Sequence, residues 1–250
     1  MQDKAYKILA RQEKISHNVA KSLIDSGLVF CGAQKVAIAR ALMSENSRFI
    51  VKKPQKARLI FEDDKIIAVN KPFAMTSENL EKEFKAKLLN RLDKETSGLI
   101  LLYKDEKFRA KCIEEFKKQR VFKSYIAILN GVLADEMVIN EPILTLKNKQ
   151  GAFSKVSKEG LPAQTTLIPL LVSGKKTLVK AVIATGRTHQ IRVHCAFIKH
   201  GIIGDEKYAK STAKRMFLHS YELGIFEYKF RANLDESFNE FGFEIKNLDF

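Results

Sequence analysis

The chain of 250 residues carries 44 Lys and Arg against 29 Asp and Glu, a formal net charge of +15, and 45% of its residues are apolar. Such a length supports one substantial core and a small satellite domain without disulfide or metal staples. The three cysteines, Cys31, Cys112 and Cys195, are odd in number, widely spaced and free of any CxxC pair. Neither a disulfide framework nor a zinc site is indicated, and a cytoplasmic location is expected. No run of about 18 apolar residues occurs, and residues 1–14 mix charges with short apolar stretches, so export and membrane insertion are not expected. The positive excess attracts polyanions through phosphate neutralisation and counterion release, which makes a nucleic acid the expected partner.

Residues 1–56 hold 11 Lys and Arg and 4 Asp and Glu, close to half of the excess. Within them Ile15, Val19, Ala20, Leu23 and Ile24 recur on one helix face behind a Ser16 cap, and Gly27 ends the helix. Residues 28–31 and 48–51 read as strands and residues 36–42 as helix. This helix, turn and strand unit over residues 1–52 resembles an S4-type RNA-binding module, in which a basic helical face reads structured RNA. Lys21 is its expected RNA contact. The helical reading of residues 36–42 departs from that family's short hairpin.

Residues 53–57, with Pro54 between basic residues, read as a linker to a second domain over residues 58–250. Strand-like patterns cover residues 59–61, 66–69, 99–103, 121–129, 165–172 and 177–184. The turn signals Asn130-Gly131 and Ser173-Gly174 favour hairpins, hence a mixed, mainly antiparallel sheet in an α+β fold. Residues 105–119, with Phe108, Cys112 and Phe116 on one face, and residues 188–199 read as helices.

Three segments carry candidate chemistry. Asn90-Arg91-Leu92-Asp93-Lys94-Glu95-Thr96-Ser97-Gly98 is a polar loop running into the apolar strand that starts at Leu99. Loops held by a rigid strand commonly carry catalytic carboxylates, although composition alone favours Asp93 as a turn residue. Thr185-Gly186-Arg187-Thr188-His189-Gln190-Ile191-Arg192-Val193-His194 suits a tight turn at Gly186, a Thr188 cap and free amides that favour an anion. His189 and His194, five apart and without an acidic third ligand, make a poor metal pair, so no metal is expected. In Phe122-Lys123-Ser124-Tyr125, alternation puts Lys123 and Tyr125 on one strand face. A polar-tipped aromatic beside a cation suits a flipped base, and it equally suits an ordinary half-buried strand tyrosine.

These three segments closely resemble motifs of the RluA family of RNA pseudouridine synthases. Asn70-Lys71-Pro72 and Gly201-Ile202-Ile203-Gly204-Asp205-Glu206-Lys207-Tyr208 look like further family elements, expected as scaffold and RNA contacts, and the likeness spans most of residues 59–225. The resemblance implies that Asp93 is the catalytic nucleophile, that Arg192 pairs with it, and that Tyr125 lies against the target base and helps remove the C5 proton. It also implies RNA contacts from Arg91, Lys123, Arg187, His189, Gln190 and Lys71. Asn90 stands where most members have His, residues 72–93 form a shorter span than in many members, and Ala74-Met75 replaces a common Gly-rich turn.

The implied reaction breaks the N1 to C1′ bond of a uridine, turns the base and rejoins C1′ to C5. No electron or outside group is transferred, so no cofactor is expected. It needs an ionised carboxylate, a cation that aims it, an aromatic surface and positive charge for the backbone. The expected partner is 23S rRNA, with tRNA as the alternative, and the expected state is a monomer. Two rivals are a non-catalytic RNA-binding or ribosome-assembly protein on the same fold, and a glycosidase or nuclease, for which no second carboxylate motif is present.

Overall fold

The computed structural model describes residues 1–32, 34–53, 55–148 and 151–245. The chain divides into two compact units, Met1–Lys56 and Ala57–Phe250. Pro54 of the expected linker lies outside the described residues.

The first unit runs β1 (Gln2–Lys4), α1 (Ala5–Glu13), α2 (His17–Asp25), β2 (Val29–Cys31), β3 (Gln34–Lys35), β4 (Leu42–Ser44) and β5 (Phe49–Val51). Ser16 caps α2 as its position suggested, its Oγ accepting the Val19 N–H at 3.3 Å. The two helices pack Ile8, Leu9, Ala20 and Ile24 against Val29 and Phe49. The helix expected over residues 36–42 is absent. Carbonyls there are committed elsewhere: Ala39 and Ala41 accept the N–H groups of Tyr6 and Ala5, which the first turn of α1 leaves without partners. Val36 and Ala39 are buried all the same, so the apolar spacing that mimics a helix belongs to a loop laid over the core.

The second unit comprises β6 (Arg58–Glu62), β7 (Ile66–Lys71), α3 (Ser77–Phe84), β8 (Lys87–Leu88), β9 (Ser97–Tyr103), α4 (Glu106–Lys117), β10 (Phe122–Asn130), β11 (Met137–Ile139), β12 (Ile143–Asn148), β13 (Gly151–Val156), β14 (Thr165–Ser173), β15 (Lys176–Ile183), α5 (Gln190–Phe197), β16 (Leu218–Ile225), β17 (Tyr228–Arg231) and a 3₁₀ turn (Glu236–Asn239). The main sheet has the order β11-β14-β15-β10-β16-β9-β7-β6, with β17 beside β16 and β8 beside β9. Among the described residues its pairings are antiparallel except for β9 with β16. The Ser173-Gly174 turn joins β14 and β15 as a hairpin. Asn130-Gly131 does not make one: β10 pairs with β15 and β16, both far ahead in sequence. Instead the Asn130 and Gly131 N–H groups donate to carbonyls of Gly201 and Lys175, and the chain leaves β10 to rejoin the sheet at β11, beside β14.

Each half of the sheet is covered on both faces. α4, whose N-terminus Asp105 caps through the Phe108 N–H at 2.6 Å, lays Phe108 and Cys112 on Ile66, Ala68, Leu99 and Leu101. Burying one such side chain is worth roughly 1.5–3 kcal/mol. α3 covers the opposite face with Leu80 against Ile67, Val69 and Ile100. α5 places Ile191 and Cys195 on Ala127, Val179 and Ala181 of the other half.

The parallel joint between β9 and β16 is tight. At Gly98, with φ at 106°, a Cβ would stand 2.2 Å from the Ser220 carbonyl oxygen. Just beside it, Ser97 Oγ lies 2.8 Å from His219 Nδ1, and His219 Nε2 lies 2.9 Å from the Ala232 carbonyl. The carbonyl only accepts, so the imidazole carries its hydrogen on Nε2 and Nδ1 accepts from Ser97. Arg215 donates to Ser97 and to Asp235, which ties the C-terminal segment to this joint. Burial pulls His219 down to about 4.

Two outcomes follow from this joint. Gly98→Ala cannot place its methyl group without moving backbone, and the soluble folded fraction on expression should collapse relative to wild type. For His219, the depressed folded value means that the unfolded chain binds more protons between pH 6.5 and 4. Stability is therefore complete above the unfolded value and falls with pH across that window, by roughly 3 kcal/mol in total. Urea unfolding as a function of pH should show this slope, and His219→Gln should flatten it.

Candidate active site

The cleft lies over the joint of the two half-sheets and has a volume of about 640 Å³. Asp93, Tyr125 and Arg192 all line it, together with the exposed Lys147 on β12. The loop carrying Asp93 is fixed from three sides. Asn90 Oδ1 accepts the Leu101 N–H at 2.8 Å, which gives the asparagine a structural duty at the position where the resemblance expects His. Ser77 Oγ donates to the Leu92 carbonyl at 2.9 Å and accepts its N–H at 3.1 Å. Lys71 Nζ donates to the carbonyls of Pro72, Met75 and Lys94 at 3.1, 2.8 and 3.3 Å.

Lys71 is therefore corrected from an RNA contact to an internal brace: it is fully buried and its three donors meet three carbonyls. Burial pulls its ammonium down to about 7, with Glu95 and Asp93 opposing. Gln190 is corrected likewise. It is buried and holds the turn before α5, accepting from Thr185 Oγ1 at 2.7 Å and the Arg187 N–H at 3.0 Å while its amide donates to the Gln164 carbonyl at 2.8 Å. This side chain does the work expected of a Thr188 cap. The helix starts at Gln190, after His189 has taken the left-handed conformation with φ at 57°.

Arg192 is 5% exposed and serves two carboxylates. Nε and Nη2 fork onto Asp205 at 2.8 and 3.0 Å, and Nη1 donates to Asp93 Oδ2 at 2.8 Å. Burial alone would weaken the cation, but the hydrogen bonds and charge of Asp205, with Asp93, hold it above the ordinary arginine value. Asp205, 1% exposed, also accepts the N–H groups of Lys207 and Tyr208. His189 Nε2 sits 3.7 Å from Asp93 Oδ2. Burial pushes the Tyr125 phenol up to about 12, so its hydroxyl is protonated near neutral pH.

The remaining expected residues are distributed differently. Arg91 and Arg187 line the cleft mouth, where Arg91 pairs with Glu78 at 2.5 Å and Arg187 Nε donates to the Pro162 carbonyl at 3.0 Å. Lys123 does not line the cleft; its half-buried Nζ donates to the Thr185 carbonyl at 3.4 Å behind Gly186. Both ring nitrogens of His194 are engaged, Nδ1 by Thr165 and Nε2 by the Glu141 carbonyl at 2.9 Å each. Lys21 belongs to the first unit, its Nζ 4.6 Å from the centre of the Tyr6 ring.

Sequence reading missed Asp205 as the partner of Arg192, and it missed the hairpin β12–β13 that brings Lys147 to the cleft. Asp205 had a signal in Gly204-Asp205. The hairpin had one in the apolar and β-branched residues 143–146 followed by Asn148 and Gly151.

Removing one partner of a buried pair leaves the other charge unpaired, at a cost of about 3–5 kcal/mol. Asp205→Ala should lower the urea midpoint accordingly, and Asp205→Asn should lose less because its oxygen still accepts one guanidinium hydrogen.

Comparison with known proteins agrees with this geometry. A family described as RNA pseudouridylate synthase matches residues 47–197. A Helicobacter pylori (strain J99) protein named as an uncharacterized RNA pseudouridine synthase is 49% identical over 240 residues, 94% of this chain and 99% of that one. Ribosomal large subunit pseudouridine synthase C of Vibrio cholerae is 30% identical over 188 residues, 65% of this chain and 59% of that one. The human RNA pseudouridylate synthase domain containing 1 shares the fold, with a TM-score of 0.62 at 24% identity over 73% of this chain and 86% of that one. A buried arginine aiming a carboxylate into a basic cleft, on this sheet and with these relatives, marks the chain as a member of the RNA pseudouridine synthase family of the RluA type, an isomerase acting on RNA.

Proposed function

We propose that the chain isomerises specific uridines of large-subunit ribosomal RNA, 23S rRNA, with Asp93 as nucleophile. The observation that carries this reading is the Asp93 carboxylate held at 2.8 Å by Arg192 within the cleft. An arginine whose other nitrogens are committed to Asp205 cannot swing away, so the carboxylate is aimed before substrate arrives. Tyr125 supplies the surface on which the detached uracil rests. Its phenol, which burial keeps protonated at rest, is also the group that the family resemblance places to help remove the C5 proton. Lys147, Arg91 and Arg187 supply positive charge for the RNA backbone around the opening.

Support for ribosomal RNA comes from relatives named ribosomal large subunit pseudouridine synthase C, from Vibrio cholerae and from Rickettsia typhi. The first unit, with its basic excess and the α2 helix carrying Lys21, fits an S4-like reader of structured RNA, which recognises shape and backbone. The alternative substrate is tRNA.

Tritium release from RNA labelled at uridine C5, with unmodified 23S rRNA and bulk tRNA in parallel, tests the reading. Wild type is expected to release tritium from 23S rRNA, and Asp93→Asn to lose ~10³-fold or more while binding RNA with similar affinity. Release from tRNA alone overturns the substrate, and release by Asp93→Asn overturns the nucleophile.

A further inference from the structure

The Ser154 N–H on β13 donates to the Tyr208 hydroxyl at 2.9 Å, and that oxygen lies 2.6 Å from His189 Nδ1. A backbone amide can only donate, and a phenol has a single hydrogen. With one lone pair of the oxygen taken by that amide, the 2.6 Å contact is best met by the Tyr208 hydrogen pointing at Nδ1. Nδ1 accepts, and a neutral ring must then carry its hydrogen on Nε2. Nε2 is the atom that faces Asp93 Oδ2, at 3.7 Å, too long for a direct hydrogen bond and close enough for one shared substrate atom to meet both.

The surroundings keep both partners in these protonation states. Burial raises Tyr208, so its phenol keeps the proton. Burial lowers His189, with Arg192 and Lys207 acting in the same sense and Asp93 and Glu95 opposing, so the ring is neutral. The Tyr208 ring is itself wedged between Phe153 at 5.4 Å and the Arg192 guanidinium at 5.2 Å.

We propose that Tyr208 is a positioning residue that locks His189 as an Nε2–H donor facing Asp93, with the lock closed by the backbone of hairpin β12–β13 through Ser154. It rests on the Asp93 cleft being the reaction centre. In this tautomer His189 cannot take a proton from the substrate; it presents a hydrogen to a substrate acceptor beside Asp93, such as a carbonyl oxygen of the uracil. Lifting the hairpin removes the Ser154 amide, frees the Tyr208 hydrogen to turn, and releases the tautomer.

Two-bond proton–nitrogen correlation NMR of the histidine rings, on the full wild-type chain near neutral pH, reads the tautomer directly and needs no activity. The expected result is His189 with hydrogen on Nε2 alone. In Tyr208→Phe the neutral form loses a donor, so His189 should show mixed tautomers and its titration midpoint should move up by roughly half to one pH unit. The acid limb of kcat on 23S rRNA should move with it, with the Kd for RNA unchanged. A wild-type ring with hydrogen on Nδ1, or a Tyr208→Phe protein with unchanged tautomer and titration, overturns the proposal. Should Tyr208→Phe melt early, the wild-type spectrum decides alone. Absence of tritium release by wild type would refute the reaction while leaving this spectrum interpretable.

Discussion

A guanidinium buried beneath the cleft sets the terms for everything around it. Arg192 is removed from water, and a charge so placed is stable only when anions and hydrogen bonds replace its hydration. Asp205 takes two of its nitrogens in a planar fork, and the geometry of that fork leaves Nη1 directed at the cleft, where Asp93 meets it. The turn that starts α5, the left-handed His189 and the segment that presents Asp205 all place one end or the other of this arrangement. Because the fork is rigid, the aim of Asp93 is a property of the folded chain and not of a flexible pair of side chains.

The second constraint is the joint between the half-sheets. Ser97 and Gly98 of β9 approach β16 so closely that no side chain fits at Gly98, and the loop carrying Asp93 runs straight into β9. One half of the sheet thus delivers the carboxylate and the other delivers Tyr125 and, through α5, Arg192. Neither half makes the site alone. His219, Arg215 and Asp235 reinforce the seam from below, which links the C-terminal segment to the distance between the two contributions.

Much of this was legible in the residues. Short apolar runs between turn signals located β7, β9, β10, β14 and β15, because these strands are buried in the sheet, and the spacing of Phe108, Cys112 and Phe116 located α4, which buries one face. Asp93, Arg192 and Tyr125 fell within motifs long enough to be distinctive. What escaped depended on contacts distant in sequence. The loop at residues 36–42 looked helical because its apolar residues are buried, while its carbonyls were already needed by α1. Lys71 and Gln190 were expected as RNA contacts from the family resemblance, and nothing local reveals the carbonyls and turn groups waiting for them inside. Ala74, standing where a Gly-rich turn is common, adopts the glycine-like φ of 64° itself, so the turn persists without its usual residue.

The brace under the Asp93 loop has a consequence for the order of events in a turnover. Lys71 of β7 and Ser77 of α3 reach the loop, and its own Asn90 ties it to β9, so its conformational entropy is surrendered once, when the chain folds. An arriving RNA meets a finished carboxylate and spends none of its binding free energy on ordering that loop. In the proposed reaction that energy remains for the costlier act, pulling one nucleotide out of the stack and holding it in the cleft while its glycosidic bond is open.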